Sequence, residues 1–215
     1  MRKYILWDHD GVLVDTEYWF FRATQMSFAE LSINLDQQTY LEYQSIGRST
    51  WDIVREAGIS EPSIKEQRKR RYQIYRQFLK REDIEIPNVL DVLAKLAGNY
   101  RMAIVTMSRR EDFNLIHESR NIMSYMEFVL TVEDHSTPKP NPDPYLTAMN
   151  RFGATSNECI IIEDSLRGLN AALAANIDCI IVKNPFTANS NFTGAYKVLD
   201  SIVELPSFLS GENHF

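Results

Sequence analysis

The sequence predicts an α/β fold: a parallel sheet with helices on both faces, interrupted after its first strand by an all-helical insertion. Three observations predict it. Apolar runs of strand length alternate with helical apolar spacing through most of the chain, the pattern of a sheet wound with crossover helices. Residues 15–86 carry helical spacing and no convincing strand. Four of the strand-like runs lead directly into acids, hydroxyls or a lysine, and in an open α/β sheet the carboxyl ends of strands are where ligands bind.

The first strand is Tyr4-Ile5-Leu6-Trp7, ending in Asp8-His9-Asp10-Gly11. A period of two puts Asp8 and Asp10 on one side with His9 opposite, facing away from the acids as a packed or partly solvated side chain. Gly11 opens a turn. By itself Asp-x-Asp-Gly reads equally well as a turn, so the other strand ends decide. The insertion shows helical spacing in Trp19–Leu31, Tyr40–Tyr43, Trp51–Ala57 and Ile64–Leu79, with Trp19, Phe20 and Phe21 expected in its core. Its basic run Arg68-Lys69-Arg70-Arg71 reads mainly as a solvated helix face. The sheet domain, residues 1–14 and 87–215, resumes near Pro87. Its second strand, Arg101–Val105, leads into Thr106-Met107-Ser108, a hydroxyl and turn amides suited to an anion. After the next, Phe128–Val132, one lysine stands between prolines in Thr137-Pro138-Lys139-Pro140, and Asp143-Pro144 reads as an N-cap with proline at the first helical position. Then Cys159–Ile162 ends in Glu163-Asp164-Ser165, followed by Gly168 and a small-residue helix over Leu169–Ala175. The chain closes on a polar tail from Ser207.

Composition agrees with a compact enzyme. A chain of 215 residues with 44% hydrophobic content can bury a substantial core. A net charge of −6 offers no basic field for nucleic acid. Cys159 and Cys179, the two cysteines, fall in strand-like runs without metal-ligand spacing, so both are expected as reduced core residues. No charged-then-apolar leader and no bilayer-length apolar run is present, which predicts a cytoplasmic location and no membrane partner.

In the order acid pair, hydroxyl, lysine, acid pair, the strand ends resemble those of the haloacid dehalogenase superfamily, and more closely its phosphatases and β-phosphoglucomutase-like members. The resemblance covers almost the whole chain. It implies a Rossmann-like core whose insertion is a cap over the site. It also implies Asp8 as a nucleophile that becomes an aspartyl phosphate, and Asp10 as the general acid and base. Thr106, with the amides of Met107 and Ser108, and Lys139 would bind the transferring phosphoryl group. Mg²⁺ would be held by Asp8, the carbonyl of Asp10 and Asp164, with Glu163 ligating directly or through water. Arg48, in the cap loop Gly47-Arg48-Ser49, is the candidate for contact with the rest of the substrate. The local alternatives are a turn for Asp10, a helix N-terminus for the Glu163-Asp164 pair, and an exposed loop lysine for Lys139.

Departures from the family pattern bear on the reading. His9 stands where an apolar residue is usual, and Asn88 and Asn176 stand where glycine is usual, though Asn tolerates the left-handed conformation that ends a helix. No histidine follows Glu17, which speaks against a phosphomutase. The sequence therefore predicts a Mg²⁺-dependent phosphatase for a small phosphomonoester, a sugar phosphate among the options, acting as monomer or dimer. A β-phosphoglucomutase-type phosphomutase and a non-catalytic phosphate- and metal-binding module are the alternatives. Dehalogenation is disfavoured, since it needs neither a magnesium shell nor a second acid.

Overall fold

The computed structural model describes residues 2–212 and divides into two compact units, one running to Asp15 and resuming at Glu85, the other spanning Thr16–Ile84. The first unit carries β1 (Tyr4–Trp7). In the second, α1 (Glu17–Ala29), α2 (Gln37–Ser45), α3 (Trp51–Glu56) and α4 (Glu61–Arg81) follow one another with no strand among the described residues. The first unit then continues with α5 (Val89–Ala97), β2 (Arg101–Val105), α6 (Arg110–His117), β3 (Phe128–Leu130), α7 (Asp143–Phe152), β4 (Cys159–Glu163), α8 (Leu166–Ala174), β5 (Cys179–Val182), β6 (Lys197–Leu199) and α9 (Leu205–Glu212).

All strand pairs are parallel, in the order β3-β2-β1-β4-β5-β6. The α/β fold expected from the alternation is thus the observed one. Alternate residues Leu6, Ala103, Val105, Ile161 and Ile181 pack in one cluster with Tyr145 and Ala148 of α7 and Leu169 and Ala172 of α8. Their neighbours Ile5, Trp7, Met102, Ile104, Ile160 and Ile162 are buried as well, so both sheet faces are covered, as an all-parallel sheet requires. Both cysteines are free and buried at the starts of β4 and β5.

Strand order reverses direction at β1, which runs between β2 and β4. At such a switch point the crossovers leave to opposite sides and open a crevice at the carboxyl ends of the strands. The register sets Trp7 beside both Ile104 and Ile162, so Asp8 comes level with Val105 and Glu163. The central motifs therefore reach one edge of the sheet.

Several local expectations change. Asn88 and Asn176 do adopt left-handed backbone, with φ of 67° and 54°. Asp143 is not an N-cap: it sits in the first turn of α7 and its carboxylate accepts from the amides of Ser136 and Thr137, tying down the loop that carries Lys139. The tail from Ser207 belongs to α9 as far as Glu212, held by buried Leu205 and Leu209, while residues 213–215 lie outside the described residues. In the helical unit Phe21 is buried against Tyr40, and Trp19 and Phe20 pack partly buried against Phe78 and Tyr75. The basic run is not uniformly a solvated face. Lys69 and Arg70 are exposed, but Arg71 is buried, its guanidinium over the rings of Phe20, Tyr72 and Trp51.

Candidate active site

Lys139 is the hub of the sheet-edge cluster. Its Nζ donates to Asp8 Oδ1 at 2.7 Å, to Glu163 Oε1 at 2.9 Å and to the carbonyl of Val105 at 3.0 Å, with only 3% of the residue exposed. Asp8 follows Leu6 by two and so shares the sheet face covered by α7, where Tyr145 lies under the ammonium with its ring centroid 4.6 Å away. One cation thus ties together the ends of β1, β2 and β4. An exposed loop lysine it is not.

Glu163 is fully buried and heavily used. Oε1 accepts from Lys139 and from the Tyr145 hydroxyl at 2.8 Å; Oε2 accepts from the amides of Asp164 and Ser165 and from Ser165 Oγ at 2.9 Å. Its carboxylate lies against the first turn of α8, where a Cβ on Gly168 would come within 1.6 Å of Oε1. Only glycine leaves that space. Asp164, 1% exposed, accepts from Asn184 Nδ2 at 2.6 Å, and the same amide donates to the carbonyl of Gly11 at 3.2 Å. Gly11 has φ of 86°, and a Cβ there would approach Asp164 Oδ2 to 2.2 Å, so the turn after the first acid pair is shaped around the second.

Oxygens of Asp8, Glu163 and Asp164 lie within 4.8 Å of one another. Burial and the neighbouring Glu163 charge push the carboxyl of Asp8 up to about 6, against the pull of Lys139. Burial also opposes ionisation of Glu163 and Lys139, yet attraction outweighs it: Asp8 and Glu163 together hold Lys139 above its ordinary value, and Lys139 holds Glu163 below its own. A dry, acid-rich cluster with one cation and oxygen donors is a fit for a hard divalent ion, which would relieve the excess negative charge.

The second acid of the first motif has its own setting. Asp10 Oδ2 accepts from Thr106 Oγ1 at 2.9 Å and Ser108 Oγ at 2.8 Å, while the amide of Ser108 donates to Thr106 Oγ1 at 2.9 Å. The Thr106 hydroxyl, expected to face a phosphoryl group, is here spent on Asp10 and on the turn. His9 does not face away from the acids. Its ring is fully buried, with Nδ1 3.1 Å from Asp10 Oδ2 and Nε2 2.9 Å from Nε2 of His117. The amides of Val12, Leu13 and Val14 all donate to the carbonyl of His9, so the chain leaves strand geometry after Asp8 and the period of two no longer applies.

Of the expected residues, then, Asp8, Lys139, Glu163 and Asp164 form one cluster, and Asp10, Thr106 and Ser108 a second one joined to it through the chain. Arg48 belongs to the helical unit, where it pairs with Glu56 at 2.9 Å and Asp52 at 3.5 Å and lies over Tyr43. Sequence reading missed Tyr145, Asn184 and His117. Asn184 had a usable signal, its place just past the end of β5; Tyr145 and His117 sit inside helices and had none.

Compared with known proteins, residues 5–182 match a family model described as haloacid dehalogenase-like hydrolase. Protein CbbY of Cereibacter sphaeroides is 28% identical over 95% of this chain and 94% of its own length, and the fructose-1-phosphate phosphatase YqaB of Escherichia coli is 24% identical over 83% and 95%. Among solved structures, CbbY from Rhodobacter sphaeroides, a mutant in complex with xylulose 1,5-bisphosphate, superposes with a TM-score of 0.78 at 24% identity over 95% of this chain and 96% of that one. A putative phosphoglycolate phosphatase from Lactobacillus plantarum gives 0.80 at 18%, over 96% and 99%. The fold and the family model agree with the strand-end motifs: this chain belongs to the haloacid dehalogenase-like hydrolases.

Proposed function

We propose that the chain is a Mg²⁺-dependent phosphatase that hydrolyses a small phosphomonoester, a sugar phosphate in the first instance, through an aspartyl-phosphate intermediate. The observation that carries this is the buried Lys139 bridging Asp8 to Glu163 at a strand-order switch point, beside Asp164. Two relatives support the substrate class: one is named a fructose-1-phosphate phosphatase, and a CbbY structure is described with a sugar bisphosphate.

With Lys139 on Oδ1, the other oxygen of Asp8 attacks phosphorus. The bond to the substrate oxygen breaks as Asp10 delivers a proton to it, and the alcohol leaves. Water then attacks the phosphoaspartate, Asp10 takes its proton, and inorganic phosphate departs with Asp8 restored. Lys139 offsets the negative charge of both partners as they approach. Asp8, Asp164 and the Asp10 carbonyl would hold Mg²⁺, with Glu163 beside the shell because both of its oxygens already accept hydrogen bonds. When bound, the ion neutralises charge on the transferring group. Selection among phosphomonoesters falls to the helical unit, with Arg48 as the candidate contact.

A phosphate-release screen of the purified protein over many phosphomonoesters, with Mg²⁺ and with EDTA, tests the reading. Release of one phosphate per substrate consumed, abolished by EDTA and by Asp8→Asn in a folded protein, is expected. Isomerisation of a sugar phosphate without phosphate release would replace it with the phosphomutase, and binding of vanadate without any turnover would replace it with the binding module.

A further inference from the structure

Asp10 Oδ2 accepts from Thr106 Oγ1 and Ser108 Oγ and lies 3.1 Å from His9 Nδ1, which is a third donor when that nitrogen carries its hydrogen. Donors aimed at Oδ2 leave that oxygen as an acceptor, so a proton on Asp10 is placed on Oδ1. His9 is the donor without a precedent in the motif it interrupts, and it is also the one whose direction is set from behind. Its Nε2 is 2.9 Å from Nε2 of His117, a distance that needs one N–H and one lone pair between the rings. If His117 supplies the N–H, His9 Nε2 is the acceptor and His9 Nδ1 must carry the hydrogen that points at Asp10. Burial, with the neighbouring His9 and Arg120, holds the His117 imidazole neutral, pushing it down to about 3, and its Nδ1 lies buried without a hydrogen-bond partner among the described residues, a setting that disfavours an N–H there and so favours the tautomer with the hydrogen on Nε2. Phe113 packs against both rings, with centroids 4.9 Å from His9 and 4.4 Å from His117, which fixes the pair in place.

We propose that His9, oriented by His117, is a positioning residue that clamps Oδ2 of Asp10 and aims Oδ1 at the leaving-group oxygen. The inference rests on the phosphatase reading above. Its step is the proton transfer of the first half-reaction: the proton moves from Asp10 Oδ1 to the departing oxygen as the phosphorus–oxygen bond to the alcohol breaks and the bond to Asp8 forms.

Leaving groups separate this role from a packing role. An alkoxide needs that proton; p-nitrophenolate leaves without it. The test measures kcat/KM, which reports through departure of the leaving group, for p-nitrophenyl phosphate and for whichever of glycolate, glycerol, fructose and glucose phosphates the wild type turns over fastest. His9→Phe keeps a buried ring and removes the donor. It is expected to lower kcat/KM for the alkyl phosphate about 30-fold, within the range a general acid contributes, and that for the aryl phosphate by less than about threefold. His9→Asn places an amide N–H near the old Nδ1 and should recover most of the loss, whereas His9→Gln places it near Nε2 and should not. The Asn and Gln pair decides the matter if the Phe variant fails to fold. Equal losses for the two esters, no loss, or equal behaviour of Asn and Gln would overturn the proposal. A wild type that hydrolyses no alkyl phosphate would instead overturn the phosphatase reading beneath it.

Discussion

Each unit of this protein buries a cation, and the two do so in opposite ways. Lys139 in the sheet unit is surrounded by carboxylates, at 2.7 Å from Asp8 and 2.9 Å from Glu163. Arg71 in the helical unit has no carboxylate paired with it among the described residues and lies instead over three aromatic rings, 4.5 Å from Phe20, 4.6 Å from Tyr72 and 5.5 Å from Trp51. Exposure is low for both, 3% and 9%. Their proton affinities nevertheless move apart: Asp8 and Glu163 overcome the burial of Lys139 and raise it, while burial lowers Arg71. Ring faces tolerate a charge; carboxylates demand one. The contrast separates a cation kept for packing from a cation kept because two acids must coexist next to a site.

Removing Lys139 should therefore have the largest effect. In Lys139→Met two buried carboxylates face each other uncompensated, which costs on the order of 3–5 kcal/mol near neutral pH. Phosphate release should fall by about 10³-fold or more if Asp8 is the nucleophile proposed above, since it loses its fixed counter-charge. The variant, measured in EDTA by chemical denaturation, should regain stability as pH falls. Asp8 is already raised above its ordinary value and Glu163 is held below its own by Lys139. Without the ammonium, burial and mutual repulsion carry both folded-state values above the unfolded ones, so the folded state binds the extra protons and gains on acidification. A variant no less stable at pH 8 than at pH 5 would refute the charge account.

How much of this was legible follows from where regular structure stops. The sheet was readable because its strands are buried on both faces as short continuous apolar runs, and the strand ends announced themselves by the abrupt change to Asp8, Thr106 and Glu163. Extrapolating the strand period one residue too far misplaced His9, since the turn begins immediately after Asp8. Four consecutive basic residues on a helix cannot all face water if one stripe is buried, yet which one turns inward depends on phase, and that is set by Ile64, Ile74 and Tyr75. Tyr145 reaches Glu163 only through the packing of α7 on the sheet, a contact with no trace in local sequence.

His117 sharpens the comparison as a half-buried base that neither acids nor rings compensate fully. Its folded pKa is depressed from 6.5 to about 3, so below about pH 6.5 the unfolded chain binds the proton the folded chain refuses. The stability this group contributes is complete above pH 6.5 and is lost progressively as pH falls toward 3. Partial exposure of the ring screens the effect to about 1–2 kcal/mol between pH 7 and pH 4.5. His117→Phe should be flatter over that window by this amount in denaturant titrations. Parallel curves for the two proteins would mean that the ring stays solvated in solution.

The smallest expected effect is at Arg71, and it is the one that tests what the rings do. A buried ion held by counter-charges leaves those charges stranded when it is removed, whereas one held by ring faces leaves only a space. Arg71→Met fills much of that space with an apolar, flexible chain that packs well against aromatic edges. The guanidinium's desolvation cost disappears with it, and the lost cation–π attraction is of similar size, about 1–2 kcal/mol. The two should nearly cancel, leaving stability within about 1 kcal/mol of the wild type, against the several lost at Lys139. Arg71→Lys is the sharper variant, because it keeps the charge but exchanges a flat, weakly hydrated guanidinium for a compact, strongly hydrated ammonium that stacks poorly. If ring stacking is what makes burial tolerable there, the lysine protein should be less stable than the methionine protein, even though it preserves the charge. Thermal melting of the three proteins in parallel checks the order; a lysine variant more stable than the methionine one would show that charge, not stacking, is what the helical unit retains at this position.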